Sequence, residues 1–273
     1  MSWNKKIIKF WILLLSNYRE DSHRVMGIAM RYIAIIFLCG VYRYLFSSGL
    51  LKENVLFNGR PMPYSLFVMS GFAALYMLYR TTAVAQDTLL SLKKSQLLEW
   101  VVISHSDILE LFMAKAAWNF LLGLTEAATF ILSGHILFAM PLRPYLNPFL
   151  FFAALIVFIT YAGIGVLLSS LNLLFHRSKS LTPVINQLSI LLGGLFFPVD
   201  VFPRYLKLIA ECMPITHCLR WIRVLITGIP IADSLTQMGS LTLITSLILS
   251  FSIIIFKKSL SFAKKNDILF DDK

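Results

Sequence analysis

Glu126 is the first side chain in this sequence with a chemical role to explain, because it is an acid near the middle of the apolar run 111–140. An ionisable group at that depth of a membrane costs roughly 2.5–3.5 kcal/mol on insertion scales and therefore needs a partner. Arg43 is one candidate partner. Two interpretations stay open: a polar contact on a transport path, with proton coupling, or an interhelical hydrogen bond to a serine or threonine.

Two arginines form the second candidate group. Arg220 and Arg223 are three residues apart, which places them on one side of a helix. Such a pair can meet the phosphate or carboxylate groups of a lipid or an acidic substrate. Equally, the two side chains can snorkel to lipid headgroups as anchors. We find no constellation of nucleophile, base and oxyanion donors and no metal-ligand spacing, so the sequence predicts neither a catalytic nor a metal site.

Composition decides the setting of these residues. Apolar residues make up 58 % of the chain and charged residues 14 %, whereas soluble domains carry roughly 45–50 % and 25 %. The chain is therefore predicted to be an integral membrane protein. The net charge of +11 would also suit nucleic acid, but the basic residues flank apolar segments, so membrane topology explains them better and no nucleic-acid partner is expected.

The predicted fold is all-α and polytopic, with six membrane spans of about 20 apolar residues each. The spans are placed at residues 27–50, 61–79, 111–140, within 144–175, at 181–197 and at 234–256. Residues 1–25 are predicted to form a cytoplasmic amphipathic interface helix, 26–257 the transmembrane domain and 258–273 a cytoplasmic tail. Lysine and arginine are concentrated in the loops that would be cytoplasmic if both termini were. The positive-inside rule therefore predicts that both termini lie in the cytoplasm.

The stretch 191–228 is unlike the other apolar segments because it is repeatedly interrupted. A Gly193-Gly194 pair is followed by prolines at 198, 203 and 214, each of which breaks a helix. Two short amphipathic helices are predicted between these breaks. Broken backbone of this kind is tolerated at membrane depth only where protein or water satisfies it.

This stretch resembles the C-terminal signature of the ABC transmembrane type-2 family. The resemblance is carried by Phe197-Pro198-Val199-Asp200, by Pro203, by Pro214-Ile215-Thr216-His217 and by Arg223 before Gly228. It implies two short re-entrant helices between spans 5 and 6, which help to close the outer end of a pathway. The site residues expected for that path and its outer gate are Glu126, Phe197, Pro198, Asp200, Arg220 and Arg223.

Membership of such a family also implies partners. The chain would be the permease of an ATP-binding cassette exporter in the cell inner membrane, forming a homodimer with two copies of an ATPase subunit. ATP and Mg²⁺ would bind to that ATPase, because this chain has no G-x-x-x-x-G-K-[ST] loop and is not expected to be an enzyme. The implied substrates are cell-surface polysaccharide, lipid-linked oligosaccharide or a hydrophobic drug.

The cytoplasmic stretch 87–107 is the predicted docking element for that ATPase. An amphipathic helix in a partner groove is a common recognition mode, and the alternative is a helix lying on the bilayer surface. By resemblance, Glu99 matches the family's glutamate, while Ser104-His105-Ser106 stands where a proline turn is usual. The residues expected to contact the ATPase are Leu97, Glu99, Trp100, Ser104 and His105.

A different class of protein, a secondary transporter or channel subunit driven by an ion gradient, is the alternative hypothesis. That class predicts intramembrane acids and an internal repeat. Glu126 is the one acid at such depth in the predicted spans, and no repeat is visible in the sequence. Cys212 and Cys218 flank Pro214 and are predicted to be free thiols.

Overall fold

The computed structural model describes residues 25–48, 54–57, 59–94, 108–175, 181–227 and 231–265. Eight α-helices and one β-hairpin make up this part of the chain. In chain order the elements are α1 (Val25–Ser47), β1 (Asn54–Phe57), β2 (Arg60–Pro63), α2 (Tyr64–Lys94), α3 (Ile108–Phe138), α4 (Pro148–Phe175), α5 (Leu181–Leu192), α6 (Arg204–Cys212), α7 (Pro214–Thr227) and α8 (Ile231–Lys265), with 3₁₀ turns at Arg143–Leu146 and Val199–Val201.

Four of these helices are long and apolar enough to cross a membrane. The candidate spans are Met26–Ser47 in α1, Leu111–Phe138 in α3, Pro148–Leu171 in α4 and Met238–Phe262 in α8. The helical, polytopic character expected from the sequence is therefore confirmed. Helix α4 begins at Pro148, and Asn147 caps it by accepting a hydrogen bond from the Phe149 amide at 3.1 Å.

Helix α2 is the central helix of the fold. It packs along α3 on one side and α4 on another, and most of its side chains from Tyr64 to Thr88 are buried. A helix surrounded by protein need not be apolar all round, and α2 carries Arg80 and Gln86 in its length. It is 31 residues long, which corresponds to about 46 Å.

The start of the second predicted span was wrong. Pro61 and Pro63 belong to strand β2, which pairs antiparallel with β1, and α2 begins only at Tyr64. Proline lacks the amide donor that a central strand needs, but it fits an edge strand. Gly59 makes the turn with a φ of 73°, a left-handed conformation that glycine adopts without strain.

Helix α5 ends earlier than the predicted fifth span. The sequence placed this span at residues 181–197, but the helix runs for only 12 residues, to Leu192. At 1.5 Å per residue it is about 18 Å long, shorter than the ~30 Å hydrocarbon core. The count of six spans stays a prediction, because α2 and α5 are not among the four helices that meet the length and hydropathy conditions.

The two ends of the chain are only partly described. The predicted interface helix at residues 1–25 lies outside the described residues, except for the first residue of α1. Helix α8 continues to Lys265, past the boundary predicted at residue 258 between membrane domain and tail. The division into three parts stays a prediction.

Candidate functional site: a broken helix and its buried arginine

The chain between α5 and the end of α7, residues 193–227, is called the broken segment below. It starts at Gly193 and Gly194, and Gly194 has a φ of 77°. A Cβ on Gly193 would lie 2.2 Å from Ile215 Cγ2 and 2.3 Å from the Ser189 carbonyl oxygen. Glycine is therefore required here for two reasons: one residue turns the chain and the other lets α7 approach the end of α5.

Two short helices follow the break, as the sequence predicted. Pro203 precedes α6, and Pro214 is the first residue of α7, where its missing amide costs no hydrogen bond. Helix α7 is largely buried, whereas α6 buries only Ala210. Tyr205 and Leu208 of α6 are 86 % and 71 % exposed. The position of these helices relative to a bilayer stays a prediction.

Arg223 lies at the centre of the broken segment, 3 % exposed. Its guanidinium donates hydrogen bonds to three carbonyl oxygens: Nη1 to Gly194 at 2.8 Å, and Nη2 to Phe67 at 3.1 Å and Leu195 at 3.2 Å. The guanidinium carbon also lies 3.4 Å from the centre of the Phe67 ring. Arg223 thereby joins three pieces of chain: α7, the end of α5 and the first turns of α2.

The charge of Arg223 is held by dipoles instead of an acid. Within the described residues its guanidinium has no carboxylate partner, and its Nε has no hydrogen-bond acceptor. The Gly194 and Leu195 carbonyls follow the last residue of α5, and their oxygens are strong hydrogen-bond acceptors for the guanidinium. The Phe67 ring adds a cation–π contact.

Arg220 has a different partner from Arg223. It forms a two-point ion pair with Glu211 of α6, with Nη1–Oε2 at 2.9 Å and Nη2–Oε1 at 2.5 Å. The pair closes the bend between α6 and α7, and the Arg220 hydrogen bonds lower the pKa of Glu211 from its usual value. The His217 Nε2 atom lies 2.8 Å from the Glu211 carbonyl oxygen and supports the same bend.

Two interpretations of the arginines were therefore wrong. Arg220 and Arg223 do not act as one pair, because a spacing of three residues still lets one side chain meet α6 and the other enter the core. Arg223 is buried and so does not snorkel to headgroups. Lys207 binds Asp200 at 2.6 Å, while Arg220 occupies the Glu211 carboxylate.

Phe197, Pro198 and Asp200 form the surface of the break. Phe197 is 58 % exposed, Pro198 is half-buried and precedes the 3₁₀ turn, and the Asp200 carboxylate is exposed beside Lys207. These residues and the two arginines lie within one segment of the fold. Their roles as gate or path residues stay predictions.

Glu126 lies elsewhere, in the middle of α3, and its partner is Arg80 of α2. The Arg80 Nε atom lies 3.0 Å and 3.1 Å from the two carboxylate oxygens, and Nη2 also binds Oε1. Asn119 accepts a further bond from Arg80 Nη1 at 3.4 Å. Glu126 is 1 % exposed. The interhelical contact was expected, but with the wrong partner: Arg43 lies over the Phe138 ring instead, at 5.8 Å.

Run length alone does not identify Arg80 as the partner, because Arg80 directly follows the second predicted span, 61–79. The signal was present, since Arg80 and Glu126 are opposite charges in neighbouring apolar segments of an antiparallel hairpin. Buried ions need partners, so the two should have been paired.

Aromatic residues fill the core between these two charged sites. Phe72 of α2 contacts Tyr42 of α1 at 5.1 Å between ring centres, Phe130 of α3 at 5.6 Å and Phe196 of the broken segment at 5.7 Å. Tyr76 contacts Phe130 at 4.9 Å. These rings pack on one another, which indicates that they stabilise the core.

The remaining predicted residues and the cysteines can be placed briefly. The expected ATPase-binding residues lie in 95–107, outside the described residues: Leu97, Glu99, Trp100, Ser104 and His105. The predicted docking stretch 87–107 begins within α2, which continues to Lys94. Cys212 is exposed, while Cys39 and Cys218 are buried, and all three are free thiols as predicted.

The fold and site together define a class: a multi-pass helical membrane protein with a broken helix held by a buried arginine. Residues 9–227 match the family model of the ABC-2 type transporter. No curated protein matches the chain. Because the match covers most of the sequence, the chain belongs to the ABC-2 type transporter family. It is the permease subunit of an ABC transporter, the membrane component and not the ATPase, and this family normally works with an ABC ATPase partner.

Proposed function

We propose that this permease exports an amphipathic substrate across the cell inner membrane, with both termini in the cytoplasm and ATP hydrolysed by two copies of a separate ATPase. ATP and Mg²⁺ would then be bound by that partner. The observation that carries the proposal is the broken segment, because α5, which precedes it, has 12 residues and is too short to cross a bilayer by itself. The same segment in a paired permease provides an outer closure that ATP-driven movement can open.

Two copies of the chain are proposed to enclose the pathway. Helix α5 buries Thr182, Asn186 and Ser189 but exposes an apolar stripe at spacings of three and four residues: Leu181, Val184, Leu188 and Leu191. The irregular backbone after Leu192 requires protein or water beside it, not lipid. A second permease copy that packs on the α5 stripe would cover the stripe with protein. It would also leave a water-filled path beside the irregular backbone of the break.

Cysteine crosslinking tests the pairing. A Leu188→Cys variant in native membranes should form a covalent dimer with a short bifunctional thiol reagent, in a background where Cys212 is serine. Leu247→Cys is the matched control, since Leu247 is 62 % exposed on a different helix, α8. Equal dimer yield from both variants, or none from Leu188→Cys, would rule out α5 as the contact face.

Three classes of substrate suit this site: cell-surface polysaccharide, lipid-linked oligosaccharide and hydrophobic drug. All three are amphipathic or pass near lipid, and the exposed Phe197, Tyr205 and Leu208 give the broken segment an apolar surface for such molecules. An ion-gradient carrier is less well supported, because Glu126 is buried and engaged by Arg80 instead of facing a water-filled path.

Co-purification is the experiment that tests the function. The tagged permease is extracted in mild detergent and assayed for an associated ATPase, alongside Glu99→Lys and Trp100→Ala. Glu53→Lys makes the same charge change in the loop predicted outside the membrane and serves as the control. We expect the ATPase with the unmodified chain and with the control but not with the two loop variants. Absence of any ATPase from the unmodified chain, even after crosslinking, would overturn the exporter assignment.

A further inference from the structure

Helix α2 makes polar contacts with its neighbours at three levels. At its first turns the Phe67 carbonyl accepts from Arg223. In its middle Arg80 pairs with Glu126 of α3. Toward its end Gln86 accepts from Thr182 of α5 at 2.5 Å.

The Arg80–Glu126 pair fixes α2 against α3. A guanidinium that reaches both oxygens of one carboxylate has a planar geometry that tolerates little sliding. Asn119, two turns away on α3, holds the same guanidinium through Nη1. A second electrostatic interaction, between Asp87 of α2 and Lys115 of α3, crosses the same interface. The buried Arg80–Glu126 pair therefore holds α2 and α3 in one register.

The first turns of α2 are in direct contact with the broken segment. Arg223 binds the Phe67 carbonyl and stacks on the Phe67 ring. A Cβ on Gly71 would lie 3.1 Å from the Leu195 carbonyl oxygen, so the backbone after the break rests directly on α2. A displacement of α2 along its axis must therefore move Leu195 and α7 as well.

We propose that α2 is the lever that carries movement from the ATPase to the broken segment, with Arg80 and Arg223 as its two positioning residues. The inference rests on the proposed function, in which the connection 95–107 between α2 and α3 docks on the ATPase. Arg80 makes α2 and α3 respond to that contact as one rigid hairpin. Arg223 delivers the response, over a helix of about 46 Å, to the segment that closes the path.

A native thiol allows the movement to be measured without a known substrate. Cys212 is exposed at the end of α6, whereas Cys39 and Cys218 are buried. The permease–ATPase complex in lipid vesicles is labelled with a membrane-impermeant maleimide, with and without ATP plus vanadate. The rate of Cys212 labelling reports movement of the broken segment, and Cys212→Ser gives the background.

Two double variants separate positioning from folding. Arg80→Leu with Glu126→Leu removes both charges and keeps the volume filled, so the chain should fold and bind the ATPase while losing the fixed register. Arg80→Glu with Glu126→Arg restores an ion pair in the opposite sense. We expect nucleotide to change the Cys212 rate in the unmodified complex and in the swapped variant. In the leucine variant the nucleotide dependence should be lost although the ATPase still co-purifies and hydrolyses ATP.

Arg223→Lys tests the other end of the lever. Lysine keeps the charge but cannot reach three carbonyl oxygens in a fork, so the nucleotide dependence should again fall with the ATPase still bound. Nucleotide dependence retained in the leucine variant would overturn the proposal, and so would an unmodified complex that hydrolyses ATP with no change at Cys212. If no ATPase binds the unmodified chain, the proposed function itself has failed, which is a different result.

Discussion

Replacement of Gly193 by alanine is the change for which the structure makes the sharpest prediction. The added methyl would lie 2.2 Å from Ile215 Cγ2 and 2.3 Å from the Ser189 carbonyl oxygen. Both distances are far inside van der Waals contact, so α7 must move away from α5 or the backbone of the break must deform. Overpacking of a well-filled site typically costs about 1–3 kcal/mol. We expect a loss in that range, with α7 as the displaced element.

Gly239→Ala is the matched control, because nothing lies within 4 Å of a Cβ at that position of α8. Alanine is favoured over glycine within a helix by roughly 0.5–1 kcal/mol, so the control should be neutral or slightly stabilised. The assay is thermal unfolding in detergent, followed by a fluorogenic dye that reacts with thiols as they become exposed. Buried Cys218 on α7 also provides a local signal, since its reaction rate below the melting temperature should rise in Gly193→Ala.

A second substitution tests the origin of the cost. Ile215→Ala removes Cγ2 and leaves a cavity of its own, with a cost of roughly 2–5 kcal/mol. In the double variant the new methyl occupies part of that cavity. Its loss of stability should therefore be smaller than the sum of the losses of the two single variants. Relief is incomplete, because the Ser189 carbonyl oxygen remains. The reasoning is refuted if Gly193→Ala has the same melting temperature as Gly239→Ala and Cys218 does not react faster.

Two further predictions concern the ion pairs. Arg80→Leu or Glu126→Leu alone should destabilise the protein by about 3–5 kcal/mol, because each leaves a buried charge unpaired. The stability of the double leucine variant should lie within about 1 kcal/mol of that of the unmodified protein. Additive losses in a thermal-unfolding cycle would show that the two residues are not coupled. Arg220 holds the pKa of Glu211 below its usual 4.5, so this carboxylate stabilises the fold above that pH and the contribution is lost as pH falls through the lowered pKa. The stability difference between the unmodified chain and Glu211→Gln should therefore shrink on acidification below about pH 4.5, and a difference that stays constant from pH 7 to pH 3.5 would contradict the assignment.

The sequence predicted those features that depend on local rules. Apolar run length indicated the candidate spans, and proline indicated where short helices start, as at Pro203 and Pro214. The two short helices after the break follow from the same rules. Each of these features depends on residues within a few positions of one another, so hydropathy and backbone preference are sufficient to find them.

Features set by distant neighbours could not be read in the same way. Polar residues of α2 have partners on α3 and α5, which are distant in sequence, so no local pattern reveals those contacts. The acceptors of Arg223 are backbone carbonyls, which every residue has, so no side-chain pattern identifies them. Periodicity placed Arg220 and Arg223 on one side of a helix, but it could not show that different elements pack against each.

The buried Arg223 also has a consequence for biosynthesis. One of its acceptors, the Phe67 carbonyl, lies 156 residues earlier in the chain. A ribosome therefore completes α2 through α5 long before Arg223 emerges, and an isolated arginine is poorly accepted by lipid. Arg223 can take its final place only after α2 and the chain that follows α5 offer their carbonyls. Folding of this permease thus includes a late docking step of α7, and a chain truncated before residue 223 should leave the Phe67 and Gly194 carbonyls without this donor.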